Sequence, residues 1–497
     1  MGALLLHKYK TAILLLLLTA ATLVVHGYHP YAEDAEIYLP GVEHILNPKL
    51  FPVGQEFFLS HAKMTAFPNL VTFSVRVTHL PLEVALMLWH VTSIFLLLLA
   101  CWELGGLCFP TERARWGSVA LIAGLLSLPV AGTALFIMDQ YLNPRNLAAF
   151  AAIFAVTRML ESKYFRALLW LVFAASVHLL MSSYVISFCV LFAVMRQYES
   201  RLWPKVRRVD VPATVAGLLP LMIPLTQSTP AYHEAAKLHA YFYIQRWAWY
   251  ELLGLVAPIG LFFWFGNLAR TKGWTNMVRL CRTFIVYDVI YIGAALVVDL
   301  PERFESLARL QPLRSLHLLY MVMFVIIGGL LGEFVLKNRV WRWVALLVPL
   351  SAGMFLQARS LFPASATVEW PGSEPKNPWA QAFVWIRQNT AVDAVFVMDP
   401  LYMHIAGEDE IGFRCMAQRS RLADAIKDNG VVSMFPPLAD RWLSEVNAES
   451  PWGSLGVEDF KRLKASYGAS WLVVQQPGVA GIECPYTNYA VRVCRAP

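Results

Sequence analysis

Apolar runs of nearly membrane-spanning length recur along this chain and constrain its fold more than any other feature. They fall at residues 11–27, 82–104, 117–137, 146–160, 167–197, 211–226, 248–268, 283–300, 315–336 and 343–360. About 20 mostly apolar residues cross a bilayer as a helix, with a range of about 17–25. Inside lipid the backbone must satisfy itself, so each run is expected to be helical. Charge is correspondingly scarce. The 497 residues are 57% hydrophobic and 15% charged, against about 45–50% and about 25% in soluble domains. That leaves too little charge to cover several independent soluble cores. The same apolar, aromatic composition excludes a disordered chain, and seven cysteines are too sparse for a disulfide framework.

The run 167–197 is too long for one ordinary span. Lys163 and Arg166 precede it, and Arg196, Arg201, Lys205, Arg207 and Arg208 follow it. Basic loops favour the cytoplasmic side, so two short spans with an outer apex near Leu180–Ser183 keep both clusters inside. The expectation is an α-helical polytopic membrane protein of about eleven transmembrane helices, with a cytoplasmic N-terminus. The first run lacks a clear cleavage site and reads as an uncleaved span. The expected home is a bacterial-type inner or plasma membrane. The overall excess of basic residues is explained by cytoplasmic loops, without nucleic acid.

Residues 361–497 differ in kind. They carry 12 Lys+Arg and 15 Asp+Glu, while the preceding body carries 29 and 19. Helical patterns at 378–389, 421–428, 438–448 and 457–466 alternate with strand-like stretches at 394–399, 470–474 and 489–494. This predicts a small extracytoplasmic α/β domain at 361–497 beside a membrane domain at 1–360. Cys484 and Cys494 flank a hairpin-like segment in surroundings that would permit a disulfide. The outer loop 28–80 is long enough to be functional. Its segments 35–46 and 55–66 read as short helices along the membrane surface.

Candidate chemistry gathers outside the membrane. Glu33, Asp34 and Glu36 sit where the chain leaves the first span, and Asp139 lies in the next outer loop. A carboxylate there could deprotonate an acceptor hydroxyl. If a divalent cation takes part, Asp34, Glu36 and Asp139 are its expected ligands. The bland alternatives are a solvated acidic loop and, for Asp139, a helix cap or a pair with Arg145. Arg145, Arg246 and Arg314 are candidate phosphate ligands, since guanidinium binds phosphate in a bidentate fashion. Arg303 and Arg309 belong to the same outer set. Arg246 reads first as part of an aromatic membrane belt, with a sugar-stacking wall as the alternative, and Arg314 reads equally as an interfacial anchor. His178 and His317 read as packed, hydrogen-bonded histidines. Asp288 reads as interfacial, close to the cytoplasmic end of its span.

This organisation resembles the GT-C glycosyltransferases, which include protein O-mannosyltransferases, the aminoarabinose transferases of lipid A and oligosaccharyltransferases. The likeness rests on a first span followed at once by an outer loop with an acidic motif, here Glu33-Asp34-Ala35-Glu36. Surface helices, a bundle and an exported α/β domain follow. The tail opening WAQAFVWIRQNTAVDAVFVMD is also similar to bacterial members. The resemblance implies an enzyme moving a sugar from a polyprenyl-phosphate donor to a hydroxyl on an unknown glycan, lipid or protein acceptor, with inversion. It places Asp34 as catalytic base, with Glu33 or Glu36 beside it and Asp139 as the second-loop acid. The motif is neither an Asp-Asp or Asp-Glu pair nor D-x-D, which leaves the metal open. Two other classes stay in view: a transporter or flippase for a lipid-linked sugar, and a non-catalytic membrane scaffold with an exported binding domain.

Overall fold

The computed structural model describes residues 2–201, 229–299 and 307–497. The span expected at 211–226, the basic residues Lys205, Arg207 and Arg208, and the outer Arg303 lie outside them. Helix α1 (Gly2–His26) leads into three loop helices, α2 (Ala35–Leu46), α3 (Glu56–Met64) and α4 (Phe67–Thr78). The body continues with α5 (Leu82–Cys108), α6 (Glu112–Gly124), α7 (Pro144–Leu160), α8 (Tyr164–Val177) and α9 (Leu179–Arg201). Then come α10 (Pro230–Lys237), α11 (Trp249–Lys272), α12 (Thr275–Asp299), α13 (Leu316–Leu330) and α14 (Val340–Leu361).

Among the described residues, seven helical segments are long and apolar enough to cross a membrane. They correspond to α1, α5, α9, α11, α12, α13 with its flanking turns, and α14. One expected span takes a different form. The run 117–137 is not one helix: α6 stops at Gly124, and the chain turns back on itself, with Val130 N–H donating to Leu135 at 2.8 Å. His26 holds this turn, bonding Ser127 Oγ at 2.7 Å and the Ala123 carbonyl at 2.8 Å. The run 146–160 is the 17-residue α7, buried on almost every residue. A helix covered on all sides by protein is apolar all round for the same reason as a lipid-facing one.

The run 167–197 does divide. The break is at His178, whose extended backbone ends α8 before α9 begins. Thr65 and Ala66 of the first loop satisfy the last carbonyls of α8, at Val177 (2.5 Å) and Ser176 (2.7 Å). The break therefore lies on the same side as the first loop. Asp288 departs from expectation. Because α12 starts at Thr275, Asp288 lies midway along the helix and is buried, not near an end. Helices α6 and α13 cross closely through glycines. A Cβ on Gly117 would stand 2.2 Å from the Gly328 carbonyl oxygen, the small-residue contact that lets membrane helices pack.

The tail domain holds α15 (Pro378–Asn389), β1 (Val395–Met398), α16 (Phe413–Ala417), β2 (Ser420–Arg421) and α17 (Lys427–Met434). It closes with α18 (Ala439–Ala448), α19 (Val457–Tyr467), β3 (Trp471–Gln475), β4 (Tyr486–Thr487) and β5 (Val491–Arg495). Asn377 caps α15, accepting from Trp379 N–H at 2.8 Å, and Pro378 occupies the first helical position, where its missing N–H costs nothing. The sheet runs β2-β1-β3-β5-β4, parallel among the first three and antiparallel among the last three. Its core includes Phe383, Phe396, Tyr402 and Phe413, each large side chain worth about 1.5–3 kcal/mol on burial. Cys484 and Cys494 form a disulfide. The helix expected at 421–428 begins only at Lys427, because the preceding residues pair with β1.

The first loop does not lie free on a membrane surface. In α2 the residues from Ala35 to Glu43 are all buried. Two isolated bridges join this loop to the tail, Tyr28 with Val368 and Ala32 with Ile411. The apolar core of the body extends to Cys415 and Val431 of the tail. The amphipathic pattern of α2 was visible in sequence, but its cover is protein.

Candidate functional site

The site is built where the first loop, the second loop and the tail meet. Residues Tyr31–Glu33 run antiparallel to Glu410–Gly412. Glu33 N–H donates to Glu410 O at 2.8 Å and Gly412 N–H to Tyr31 O at 2.7 Å. Glu33 adopts a left-handed backbone, φ +56°, as do Asp409 and Glu410 across from it. Non-glycine residues hold that conformation only where surroundings enforce it. On the other side, His29 N–H donates to Gln140 O at 2.8 Å, and Gln140 returns a bond to the His26 carbonyl. The two outer loops are thus fastened together.

Arg145 is the centre of the arrangement. Asn143 caps α7 and accepts from Arg145 N–H at 2.9 Å, while Pro144 presets the first turn. A cation at a helix N-terminus opposes the helix dipole, and acids offset it here. Arg145 Nη1 donates to Asp34 Oδ2 at 2.9 Å. Its Nη2 reaches both Asp139 oxygens at 3.1 Å, and Nε donates to Asp139 Oδ2 at 3.2 Å. Asp139 thus pairs with Arg145, and the same guanidinium links it to Asp34.

Lys427, at the start of α17, completes the cluster from the tail. Its Nζ lies 3.4 Å from Asp34 Oδ1 and is bonded to Glu33. Nothing in sequence marked this lysine; it belongs to a charged stretch 393 residues from Asp34. Burial raises the proton affinity of Asp34, but Lys427 and then Arg145 overcome it and hold the carboxyl well below the usual range. Burial raises Glu33 as well, but Lys427 and the Glu410 hydrogen bond together bring it below its usual value. Asp139 is raised, because burial exceeds the help from Arg145. Glu410 is pushed up to about 9 by burial and by the Glu33 charge.

Asp34 and Arg145 line a half-open cleft of about 140 Å³. Tyr38, His61, His178, Tyr241, Gln311 and Arg314 also face it. Arg314 sits on a turn held by Tyr184, whose hydroxyl donates to the carbonyls of Leu310 and Gln311 at 2.8 Å. Its guanidinium lies 4.7 Å from the Tyr241 ring centroid. Its Nε has no hydrogen-bond partner among the described residues. Met64, Leu179 and Leu180 form an apolar lip to the same cleft. Met64 and Leu179 are 52% and 56% exposed.

Two expected site residues lie elsewhere. Arg246 is exposed, stacks on Tyr243 at 4.7 Å and bonds the Lys237 carbonyl, outside the cleft. Glu36 faces the tail. Its Oε1 accepts from Arg414 N–H at 3.0 Å and Oε2 from Cys415 N–H at 3.2 Å. Arg414 in turn pairs with Asp428 at 2.7 Å. A Cβ on Gly412 would meet Glu36 Oε2 at 2.6 Å, so the contact needs that glycine. Burial, against the pull of Arg414, raises Glu36 to about 7. His317 is packed as expected, bonding the Ile137 carbonyl at 3.0 Å.

No family model and no curated protein matches the chain. Two solved structures, both from Archaeoglobus fulgidus, resemble it weakly. One is the archaeal oligosaccharyltransferase AglB in complex with an inhibitory peptide and a dolichol-phosphate: TM-score 0.46 and 10% identity, over 94% of this chain and 70% of that one. The other is the apo form of an oligosaccharyltransferase: TM-score 0.45 and 11% identity, over 93% of this chain and 69% of that one.

Proposed function

We propose that this chain is a membrane glycosyltransferase that moves a sugar from a polyprenyl-phosphate donor to an acceptor hydroxyl in the Asp34 cleft. The observation that carries the reading is one juxtaposition. A carboxylate and two guanidinium groups share a cleft whose lip is exposed Met64 and Leu179. An amphiphile with an apolar tail and an anionic head matches such a site: the tail lies along the lip and the phosphate reaches Arg314 and Arg145.

In the proposed reaction the acceptor oxygen bonds to the anomeric carbon while the bond from that carbon to the phosphate oxygen breaks. The electron pair leaves with the lipid phosphate, whose growing charge Arg314 stabilises. The configuration inverts. Asp34 accepts the hydroxyl proton. A carboxyl held this low is a weak base for a neutral hydroxyl. Its proton therefore transfers late, once bond formation has made the attacking oxygen acidic. Until then the negative charge of Asp34 orients the hydroxyl. Arg145 fixes Asp34 against Asp139 and keeps it ionised.

Mass spectrometry of glycolipids and surface glycans, with and without the gene, tests the proposal. The expected result is accumulation of one polyprenyl-phosphate sugar and loss of one glycan when the gene is absent. Unchanged pools of both would contradict it.

A further inference from the structure

The sequence left room for a divalent cation at Asp34, Glu36 and Asp139, and the geometry of these residues does not fit one. A hard cation needs several oxygen lone pairs converging on one point. Here they are turned to separate partners. Asp34 gives Oδ2 to Arg145 at 2.9 Å and Oδ1 to Lys427 at 3.4 Å. Asp139 places both oxygens on Arg145 at 3.1 Å. Glu33 is bonded to Lys427, and Glu36 faces the amides of Arg414 and Cys415. Among the described residues, no three His, Cys, Asp or Glu side chains are grouped to hold a metal ion.

We infer that the site carries its own cations where a metal would otherwise sit: Arg145 from the membrane body and Lys427 from the tail domain neutralise the acids, and the chain binds no divalent cation at Asp34. A dication entering the cluster would stand beside two positive side chains or expel one. Arg145 is 8% exposed, and expelling it from its acids would leave a buried guanidinium unpaired. Lys427 is as buried as Arg145 but makes fewer bonds: it holds Glu33 and lies 3.4 Å from Asp34 Oδ1, and without it Glu33 loses its cation while Asp34 keeps Arg145. The inference concerns ion binding, so it stands or falls apart from the proposed sugar transfer.

The test is Mn²⁺ titration of the purified full chain in detergent, read by the electron paramagnetic resonance of free Mn²⁺ and by thermal unfolding. For the wild type the expected result is no saturable binding at Asp34 and the same Tm in EDTA and in Mn²⁺. Lys427→Met is expected to bind Mn²⁺ saturably and to gain Tm from it. Adding Asp34→Asn should abolish that gain. One Mn²⁺ bound by the wild type and lost in Asp34→Asn would overturn the inference. A folded Lys427→Met with no gain in Mn²⁺ affinity would overturn the part assigned to Lys427. If that variant does not fold, Lys427→Gln replaces it under the same two outcomes.

Discussion

Asp34 and Glu36 lie two residues apart yet meet different partners. Asp34 is partly exposed in the cleft, with Arg145 and Lys427 on its two oxygens. Glu36 is buried against the tail, with its oxygens on backbone amides and on Arg414. The first is held below the usual carboxylate range and the second is raised to about 7. Charge neighbours outweigh burial at Asp34, and burial outweighs them at Glu36. Residue type and position in a motif therefore do not assign a role here. The partners distinguish them: Asp34 lines the cleft beside Arg145, and Glu36 holds the amides of Arg414 and Cys415.

The largest effect expected from this contrast is at Asp34. Asp34→Asn should lower transfer by about 10²–10⁴-fold, the range typical of a lost acid–base group, with expression retained in membranes. Glu36→Gln should keep most transfer at temperatures where the protein stays folded. Equal losses in the two variants would erase the distinction.

Arg145 comes next. Arg145→Met frees both Asp34 and Asp139 and should cost about 10²-fold in transfer rate. Arg145→Lys should recover only part of it, because an ammonium cannot fork to two carboxylates. Full recovery by lysine would show that charge alone suffices.

Lys427 should act through pH. A carboxyl with a lowered proton affinity stays ionised until the pH falls below the usual carboxylate range. Transfer by the wild type should therefore hold through mildly acid pH. In Lys427→Met the largest attraction on Asp34 is gone, and the acid limb of the pH profile should move up by about 1–2 units. An unmoved limb would show that Lys427 does not act on Asp34.

The smallest effect is on stability at Glu36. Its folded proton affinity is raised from 4.5 to about 7, so protonation favours the folded, docked state. That contribution is complete below the unfolded value and is lost as the pH rises through about 7. The wild-type Tm should decline from mildly acid to mildly alkaline pH, and Glu36→Gln should show a flatter profile. A wild-type Tm that rises over this interval would refute the assignment.

Sequence carried the acids and Arg145 because charge is conspicuous in an apolar chain. It carried the division at 167–197 because basic residues flank it on both sides. The ends of α15 and the three longer strands of the tail were also legible, since Pro378 and β-branched runs signal locally. What sequence could not carry was pairing across distance. Lys427 looks like any surface lysine until α17 docks on the first loop. Glu36 looked catalytic because it shares a motif with Asp34. The α6 run looked like a full span because the turn after Gly124 is as apolar as the helix. Arg246 carried the right charge in an aromatic setting, yet it stacks on Tyr243 and does not line the cleft.

The most direct test of the central claim sets the two acids side by side. Membranes holding wild type, Asp34→Asn or Glu36→Gln, at matched protein levels, are supplied with their own extracted polyprenyl-phosphate sugars, and consumption of the donor is followed by mass spectrometry. The account predicts that wild type and Glu36→Gln consume the donor and Asp34→Asn leaves it intact. Consumption by Asp34→Asn at the wild-type rate would contradict it.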